Sequence, residues 1–175
     1  MIIEEHTIES KTVFAGKVFD VHSDLIKDAD GEIRNRDVVI HSGGVTIAAE
    51  HDGKIVFVRQ YRYGSQETMI ELPAGKLDHG NEDVLSAAKR ELEEETGYNA
   101  KEWKYLGHIF SNPAICSEKI HLFFAKDLTA GKPHPDKGEF VEYLEIEKNK
   151  AFEMVKSGEI CDAKTISTLM RAYKL

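Results

Sequence analysis

The sequence predicts an α+β protein in which a mixed β-sheet packs against helices. Three observations predict this class: strand-like segments fill the first third of the chain, a helical pattern lies in the middle, and two further helices follow the later strands. The 175 residues suffice for one domain with a sizeable core. We therefore expect a single domain spanning residues 1–175.

The first third is predicted to consist of strands joined by turns. Apolar and polar side chains alternate over residues 17–25, a period of two that is typical of a half-buried strand. The Asp52-Gly53 pair predicts a tight hairpin between the apolar segments 45–49 and 55–58. The remaining predictions here are a turn at residues 28–31, a strand ending at Ile40, and a strand at 68–72 that stops at Pro73.

The middle and the end of the chain carry the predicted helices. Over residues 83–95, Leu85, Ala88 and Leu92 fall on one stripe, and Gly97 follows where a left-handed residue usually ends a helix. Strands are predicted at residues 105–110, 120–125 and 140–146. The tail is predicted to hold a helix at 151–157 closed by Gly158, and another capped by Asp162.

Charge and cysteine content exclude several classes of protein. Acidic residues number 31 and basic residues 23, and a net charge of −8 makes the chain a poor candidate for binding nucleic acid. Cys116 and Cys161 are too few and too far apart for a disulfide framework or a zinc site, so we expect reduced thiols. No apolar run could span a bilayer and no signal peptide is visible, so we expect a cytoplasmic protein.

The predicted central helix is unusually acidic. At about 100° per residue, Glu91, Glu94 and Glu95 lie within one arc beside the apolar stripe. They could form a solvated acidic face relieved by Lys89 and Arg90, or converge on a hard divalent cation, which prefers oxygen ligands. In the second case Arg90 would pair with a neighbouring carboxylate and fix it for ligation. Glycines on both sides of the helix favour the second interpretation.

This stretch resembles the Nudix box, G-x5-E-x7-R-E-U-x-E-E-x-G-U, in which U is a bulky apolar residue. Its second half is matched by Arg90-Glu91-Leu92-x-Glu94-Glu95-x-Gly97-Tyr98, and seven residues separate Glu82 from Arg90. Six residues rather than five lie between Gly75 and Glu82. We place the extra residue in the loop between Lys76 and Asn81, which leaves the role of Glu82 open.

The resemblance implies a Nudix fold, an αβα sandwich that hydrolyses a nucleoside diphosphate linked to another moiety. It implies Mg²⁺ as cofactor, with Mn²⁺ as a substitute. Glu91 and Glu95 would be the central metal ligands, Glu94 would assist, and the backbone carbonyl of Ala74 would complete the shell. Arg90 would orient a glutamate rather than touch the substrate.

Further motifs are similar to those of ADP-ribose pyrophosphatases, and the likeness extends over residues 15–172. They lie at residues 58–63, 71–76, 111–120 and 156–165. The implied reaction is hydrolysis of ADP-ribose to AMP and ribose 5-phosphate. Two alternatives remain open: hydrolysis of another nucleoside diphosphate sugar, such as GDP-mannose or ADP-glucose, and a catalytically silent module that binds nucleotide sugars.

Outside the box, the resemblance makes Glu118 a catalytic base or an extra metal ligand; the alternative is an exposed loop residue paired with Lys119. Arg59 and Arg62 are the best cations for the diphosphate or terminal ribose, since guanidinium forks match phosphate oxygens. Either arginine could instead pair with an acid at the end of its strand. Glu71, within the second of the similar motifs, is expected to bind substrate.

The resemblance also implies a homodimer. Residues 1–42 would form an N-terminal antiparallel strand region that crosses to the partner and helps to shape the adenine pocket, and residues 43–175 would form the Nudix core. Phe19, Tyr61 and Tyr63 could stack on adenine, but aromatic residues at strand spacing more often pack in a core, which is what we expect here.

Overall fold

A computed structural model describes residues 4–77 and 82–174. It divides into two compact units, the first formed by the chain up to Gly43 with Phe110–Lys119, and the second by Gly44–Ile109 with the chain from Ile120 onward. The elements are β1 (His6–Ala15), β2 (Phe19–Lys27), β3 (Ile33–His41), β4 (Gly44–His51), β5 (Lys54–Arg62), β6 (Glu67–Glu71), β7 (Ala74–Lys76), α1 (Val84–Thr96), β8 (Tyr98–Phe110), β9 (Lys119–Ala130), β10 (Glu142–Glu147), α2 (Lys148–Ser157) and α3 (Ala163–Tyr173).

The first unit contains the predicted N-terminal strand region. Strands β1, β2 and β3 form an antiparallel sheet in that order. The predicted turn before β3 is confirmed, since Gly31 has a φ of 85° and donates its amide to the carbonyl of Asp28 at 3.1 Å. Every residue of β1 is exposed, so this strand adds no side chain to a core within the unit.

The second unit contains a mixed sheet, as predicted. Its strand order is β10-β5-β4-β9-β8, with β6 paired to β5 and β7 paired to β4. Strand β4 runs parallel to β9 and antiparallel to β5 and β7. Asp52 and Gly53 both have positive φ, 47° and 78°, which is the backbone that the predicted tight hairpin between β4 and β5 requires.

Helices cover both faces of this sheet. Ile47 of β4 belongs to the same core cluster as Leu92 of α1. The next residue, Ala48, belongs to a second cluster with Ala151 of α2 and Leu169 of α3. Because successive side chains of a strand point to opposite faces, α1 packs on one side and α2 with α3 on the other. The αβα sandwich is therefore confirmed.

Local sequence signals account for where the helices begin and end. The side chains of Asp83 and Asp162 accept backbone hydrogen bonds at the starts of α1 and α3. Gly97 and Gly158 end α1 and α2 in the left-handed conformation, as predicted. Within the described ranges no helix is long and apolar enough to cross a membrane.

Some strand boundaries differ from the predicted ones. Strand β8 begins at Tyr98, directly after the helix, rather than at residue 105, because its first half lacks a clear alternation of apolar side chains. Strand β10 begins at Glu142, and Phe140, which we expected inside it, is 90% exposed. The sequences of strands β1 and β7 show no apolar alternation from which we could predict their positions. The predicted extra residue of the box falls in a loop of which residues 78–81 lie outside the described part of the chain.

The expectation that three aromatic residues pack in the core is wrong. Phe19, Tyr61 and Tyr63 are 42%, 57% and 84% exposed. In β5 only the segment 55–58 is fully buried between the helices. Tyr61 lies further along the same strand, in a part that the helices do not cover. Alternation in the sequence marks which face a side chain occupies, but not how far the covering helices extend.

Candidate active site

Two glutamates of α1 are buried although they are acidic. Glu91 and Glu95 are only 8% and 5% exposed, on the edge of the apolar stripe that packs against the sheet. The backbone amide of Ala74, in β7, donates to Oε2 of Glu95 at 3.0 Å. The pairing of β7 with β4 thus brings the predicted backbone ligand residue next to one of the predicted carboxylate ligands.

Arg90 connects the carboxylates at this end of the helix. Its Nη1 donates to Glu91 at 2.7 Å and to Glu94 at 3.0 Å, while Nε and Nη2 donate to the two oxygens of Glu82, each at 3.2 Å. Burial opposes the charge of Arg90, but these carboxylates raise its pKa above the ordinary value. Glu82, whose role the sequence left open, is therefore a partner of Arg90.

Gly75 makes room for Glu91. A Cβ atom built on Gly75 would lie 2.0 Å from the carboxyl carbon of Glu91, much closer than any real contact. The absence of a side chain at Gly75 thus allows the carboxylate to rest directly against the backbone of β7. The glycine that opens the box has a steric role in positioning Glu91.

Loss of contact with water is the largest influence on the pKa values of the buried pair Glu91 and Glu95. Burial raises the pKa of Glu91 to about 7, although the charge of Arg90 opposes the rise. Burial raises the pKa of Glu95 to about 8, against the hydrogen bond from Ala74. Glu139, in the segment between β9 and β10, adds a further negative charge that raises both values.

The donor set fits a hard divalent cation. Buried carboxylates that repel one another are stabilised by a positive charge, and carboxylate oxygens are the ligands that Mg²⁺ prefers. In the described residues no three acidic, His or Cys side chains already converge at ligand distances. Arg90 contacts Oε1 of Glu91 and Oε2 of Glu94, and Ala74 contacts Oε2 of Glu95, so the other oxygen of each carboxylate is the one that would ligate a cation.

The two arginines predicted to bind substrate both form ion pairs with acids. Arg59 is exposed and donates to Glu142, with Nη2 at 2.6 Å. Arg62 makes a bidentate pair with Glu71, at 2.8 and 2.5 Å, so the structure brings two of the predicted substrate residues together. Lys164 of α3 donates to the same carboxylate at 2.7 Å.

Glu118 belongs to the first unit. Its carboxylate lies 3.6 Å from Nδ1 of His41. Lys119, which the alternative interpretation paired with Glu118, places its ammonium 5.6 Å from the centre of the Phe110 ring. Glu118 therefore has a local partner other than the one considered from the sequence.

Sequence reasoning missed Glu139 and Lys164. Neither lies within the box, and each is brought to its partners by long-range folding: Lys164 is 93 positions from Glu71 along the chain. For Lys164 there was a signal, since it lies in one of the outer motifs. For Glu139 there was none, because it is one of two acids in the segment 131–141, which lies outside every motif that the sequence analysis identified.

Comparison with known proteins places the chain in a family. The family model described as NUDIX domain matches residues 41–166. An ADP-ribose pyrophosphatase of Bacillus subtilis (strain 168) is 39% identical over 93% of this chain and 89% of its own. A methanol dehydrogenase activator of Bacillus methanolicus is 37% identical over 94% and 90%. A GDP-mannose pyrophosphatase of Escherichia coli (O1:K1 / APEC) is 30% identical over 95% and 94%.

A solved structure supports the fold independently. The crystal structure of an ADP compounds hydrolase superposes with a TM-score of 0.87, covering 99% of this chain and 95% of its own at 21% identity. At that identity the likeness concerns the fold alone. The match of the NUDIX model to residues 41–166 and the 39% identity to the Bacillus subtilis relative show that the chain belongs to the Nudix family.

Proposed function

We propose that the protein is a Mg²⁺-dependent, cytoplasmic hydrolase that cleaves the pyrophosphate of ADP-ribose to AMP and ribose 5-phosphate. The observation that carries this proposal is the pair of buried carboxylates, Glu91 and Glu95, held against Gly75 and Ala74. The name of the Bacillus subtilis relative supports ADP-ribose as the substrate. Its higher identity favours this substrate over GDP-mannose, the substrate named for the Escherichia coli relative.

In this reaction a water molecule attacks one phosphorus, the bond from that phosphorus to the bridging oxygen breaks, and the proton of the water passes to a carboxylate base. Glu91 and Glu95, with Glu94 and the carbonyl of Ala74, would hold the cation. Arg90 keeps Glu91 and Glu94 in place. When bound, the cation would neutralise part of the diphosphate charge and lower the pKa of the attacking water.

A substrate panel tests the proposal. ADP-ribose, GDP-mannose and ADP-glucose are supplied at equal concentration with MgCl₂ or MnCl₂, and a phosphatase releases phosphate only from the hydrolysis products. We expect the highest kcat/KM with ADP-ribose. A higher value for another sugar nucleotide would reassign the substrate. If a sugar nucleotide binds but no phosphate is released with either metal, the protein is a catalytically silent binding module.

Two carboxylates are candidates for the base. The resemblance assigns the role to Glu118, whereas electrostatics couple Glu139 to both Glu91 and Glu95. We expect Glu118→Gln to lower kcat by about 10²-fold or more, with Mg²⁺ affinity changed little. Glu139→Gln is the matched comparison. If Glu139→Gln lowers kcat more than Glu118→Gln does, and flattens the acid limb of the pH–kcat profile, the base is Glu139.

The stability of the metal-free protein is expected to fall as pH rises from about 5 to 8. Glu91 and Glu95 have raised pKa values in the folded protein, relative to an ordinary value of 4.5, so the folded state holds their protons more tightly than the unfolded state. Their contribution is therefore greatest below about pH 4.5 and is lost as the pH passes toward the folded values. MgCl₂ should raise Tm more at pH 8 than at pH 6.

Thermal melts in EDTA and in MgCl₂ across this pH range measure the effect. The double variant Glu91→Gln, Glu95→Gln is the control, because it keeps the shape of both side chains and removes both titrations. The difference in Tm between the variant and the wild type should grow with pH in EDTA. A constant difference would show that the two carboxyls titrate normally.

We further propose that the first unit pairs two copies of the chain. Its strands and the connection between β1 and β2 expose large apolar side chains, each between 42% and 65% exposed: Ile8, Val13, Phe14, Val18, Phe19 and Ile33. So many apolar groups on one small sheet favour burial against a second surface. Sedimentation velocity should give a dimer for the wild type and for Ser10→Asp, and a monomer for Val13→Asp. A monomeric wild type would refute the proposal.

A further inference from the structure

The buried carboxylate of Glu71 is shared by two cations from different elements. Glu71 is 1% exposed, at the end of β6. Arg62 of β5 donates to both of its oxygens, and Lys164 of α3 donates at 2.7 Å to Oε2, the oxygen that also accepts Nη2 of Arg62. A carboxylate removed from water in this way is strongly oriented by its partners.

The first turn of α3, which carries Lys164, is held in place by further contacts. The ammonium of Lys164 lies 3.0 Å from Asp162, the residue that caps the helix by accepting from the amide of Thr165 at 2.9 Å. The hydroxyl of Thr165 in turn accepts the amide of Leu72 at 2.9 Å. Two successive residues of α3 thus hold two successive residues of the chain, Glu71 and Leu72.

The pair with Glu71 leaves one edge of Arg62 available. Its Nε and Nη2 are used by the carboxylate, while Nη1 donates to no acceptor among residues 4–77 and 82–174. The side chain of Arg62 is 40% exposed, so it is not closed off from solvent. The hydrogen bond to Glu71 raises the pKa of Arg62 against the effect of burial, and the charge of Glu95 adds a smaller rise, so Arg62 also feels the charge of the candidate metal site.

We propose that Lys164 is a positioning residue: by holding Oε2 of Glu71, it orients the Arg62 guanidinium so that the free Nη1 edge binds an anionic phosphate group of the substrate. This inference rests on the proposed function, because it assigns a part of the same substrate site. Lys164 itself is 16% exposed and engaged with Asp162 and Glu71, so its effect on the substrate is exerted through Arg62.

Removal of the ammonium should loosen Arg62 without touching the catalytic carboxylates. In Lys164→Met the length of the side chain is kept, and Glu71 loses one of its two cations. The carboxylate can then turn, and Arg62 loses its fixed direction. Because a hydrogen bond to a charged group contributes substantially to the free energy of binding, we expect the loss of the fixed direction of Arg62 to raise KM about tenfold. The kcat value should change by no more than about twofold, since no group at the reacting phosphorus is altered.

Two variants serve as controls. Lys164→Arg retains a cation that can donate to Glu71 and should restore KM at least in part. Thr168→Val removes a hydroxyl that donates to the carbonyl of Lys164 at 2.7 Å within α3, so it weakens the same helix without changing the charge on Glu71. Thr168→Val should lower Tm and leave KM unchanged.

A second readout does not depend on turnover. The Nε–Hε resonance of Arg62, identified by its loss in Arg62→Lys, reports how firmly the guanidinium is held by Glu71. Exchange of this proton with water should be about tenfold faster in Lys164→Met than in the wild type, and should return toward the wild-type rate in Lys164→Arg. Thr168→Val should not change it.

The outcomes separate the two proposals. Unchanged KM and unchanged exchange in Lys164→Met would overturn the positioning role. So would a raised KM with unchanged exchange, which would mean that Lys164 contacts the substrate directly. If the wild type hydrolyses no sugar nucleotide, the proposed function fails, and the exchange rates alone decide whether Lys164 orients Arg62.

Discussion

Replacing Glu95 by Gln is expected to lower kcat by about three orders of magnitude while raising the Tm of the metal-free protein. The glutamine keeps the shape of the side chain, and its carbonyl oxygen can still accept the amide of Ala74. It lacks the negative charge that a divalent cation requires. Since Glu95 is 5% exposed, removing that charge ends the cost of burying it away from water and also relieves the repulsion from Glu91 when no metal is bound.

The measurements are kcat with ADP-ribose in MgCl₂ and Tm in EDTA at pH 8. Glu93→Gln is the matched control, because the same change is made two residues away on the same helix, outside the proposed machinery. It should leave kcat unchanged. Undiminished turnover in Glu95→Gln would reject the ligand role assigned to that residue and, with it, the interpretation of the acidic helix as a metal site.

Replacing Gly75 by Ala is expected to lower kcat/KM by about 10²-fold with little change in Tm. The added methyl group would meet the carboxylate of Glu91 at about 2 Å, and that carboxylate is the far end of a flexible side chain, so it can turn away at small cost. The φ of Gly75 lies outside the left-handed region, so alanine fits the backbone. The fold is kept, and the carboxylate is displaced from its place on β7.

Activity, a Mg²⁺ titration and thermal melts together test this expectation. Gly64→Ala is the control, since a Cβ at Gly64 would meet no atom within 4 Å. It should behave as the wild type. A Gly75→Ala variant with wild-type Mg²⁺ dependence and turnover would show that Glu91 need not rest against β7 to function.

Features of the fold with local causes could be predicted from the sequence. The caps Asp83 and Asp162 and the terminating glycines Gly97 and Gly158 act on neighbouring residues, so their signals are complete within a few positions. The start of β8 at Tyr98 could not be predicted in this way. Strand formation there depends on pairing with distant strands, which no short window of sequence contains.

The same distinction between local and long-range causes applies to the residues of the candidate site. The helical spacing of Glu91, Glu94 and Glu95 places them together in any helix, and the pattern of the box identified them. The burial of Glu71 could not be foreseen from its own surroundings, because the cation that compensates it, Lys164, arrives from α3. Tertiary structure alone decides whether an acidic side chain in a strand is solvated or buried with partners.

The segment from Glu71 to Gly75 is held by a different neighbour at nearly every residue. Its contacts run in chain order from Lys164 and Arg62, through Thr165 and the amide of Ile47, to Glu95 and Glu91. Adding or deleting one residue there would shift every later contact and reverse the faces of the strand. A change in chain length after Lys76 would leave all of these contacts in register, which agrees with our prediction that the additional residue of this box lies between Lys76 and Asn81.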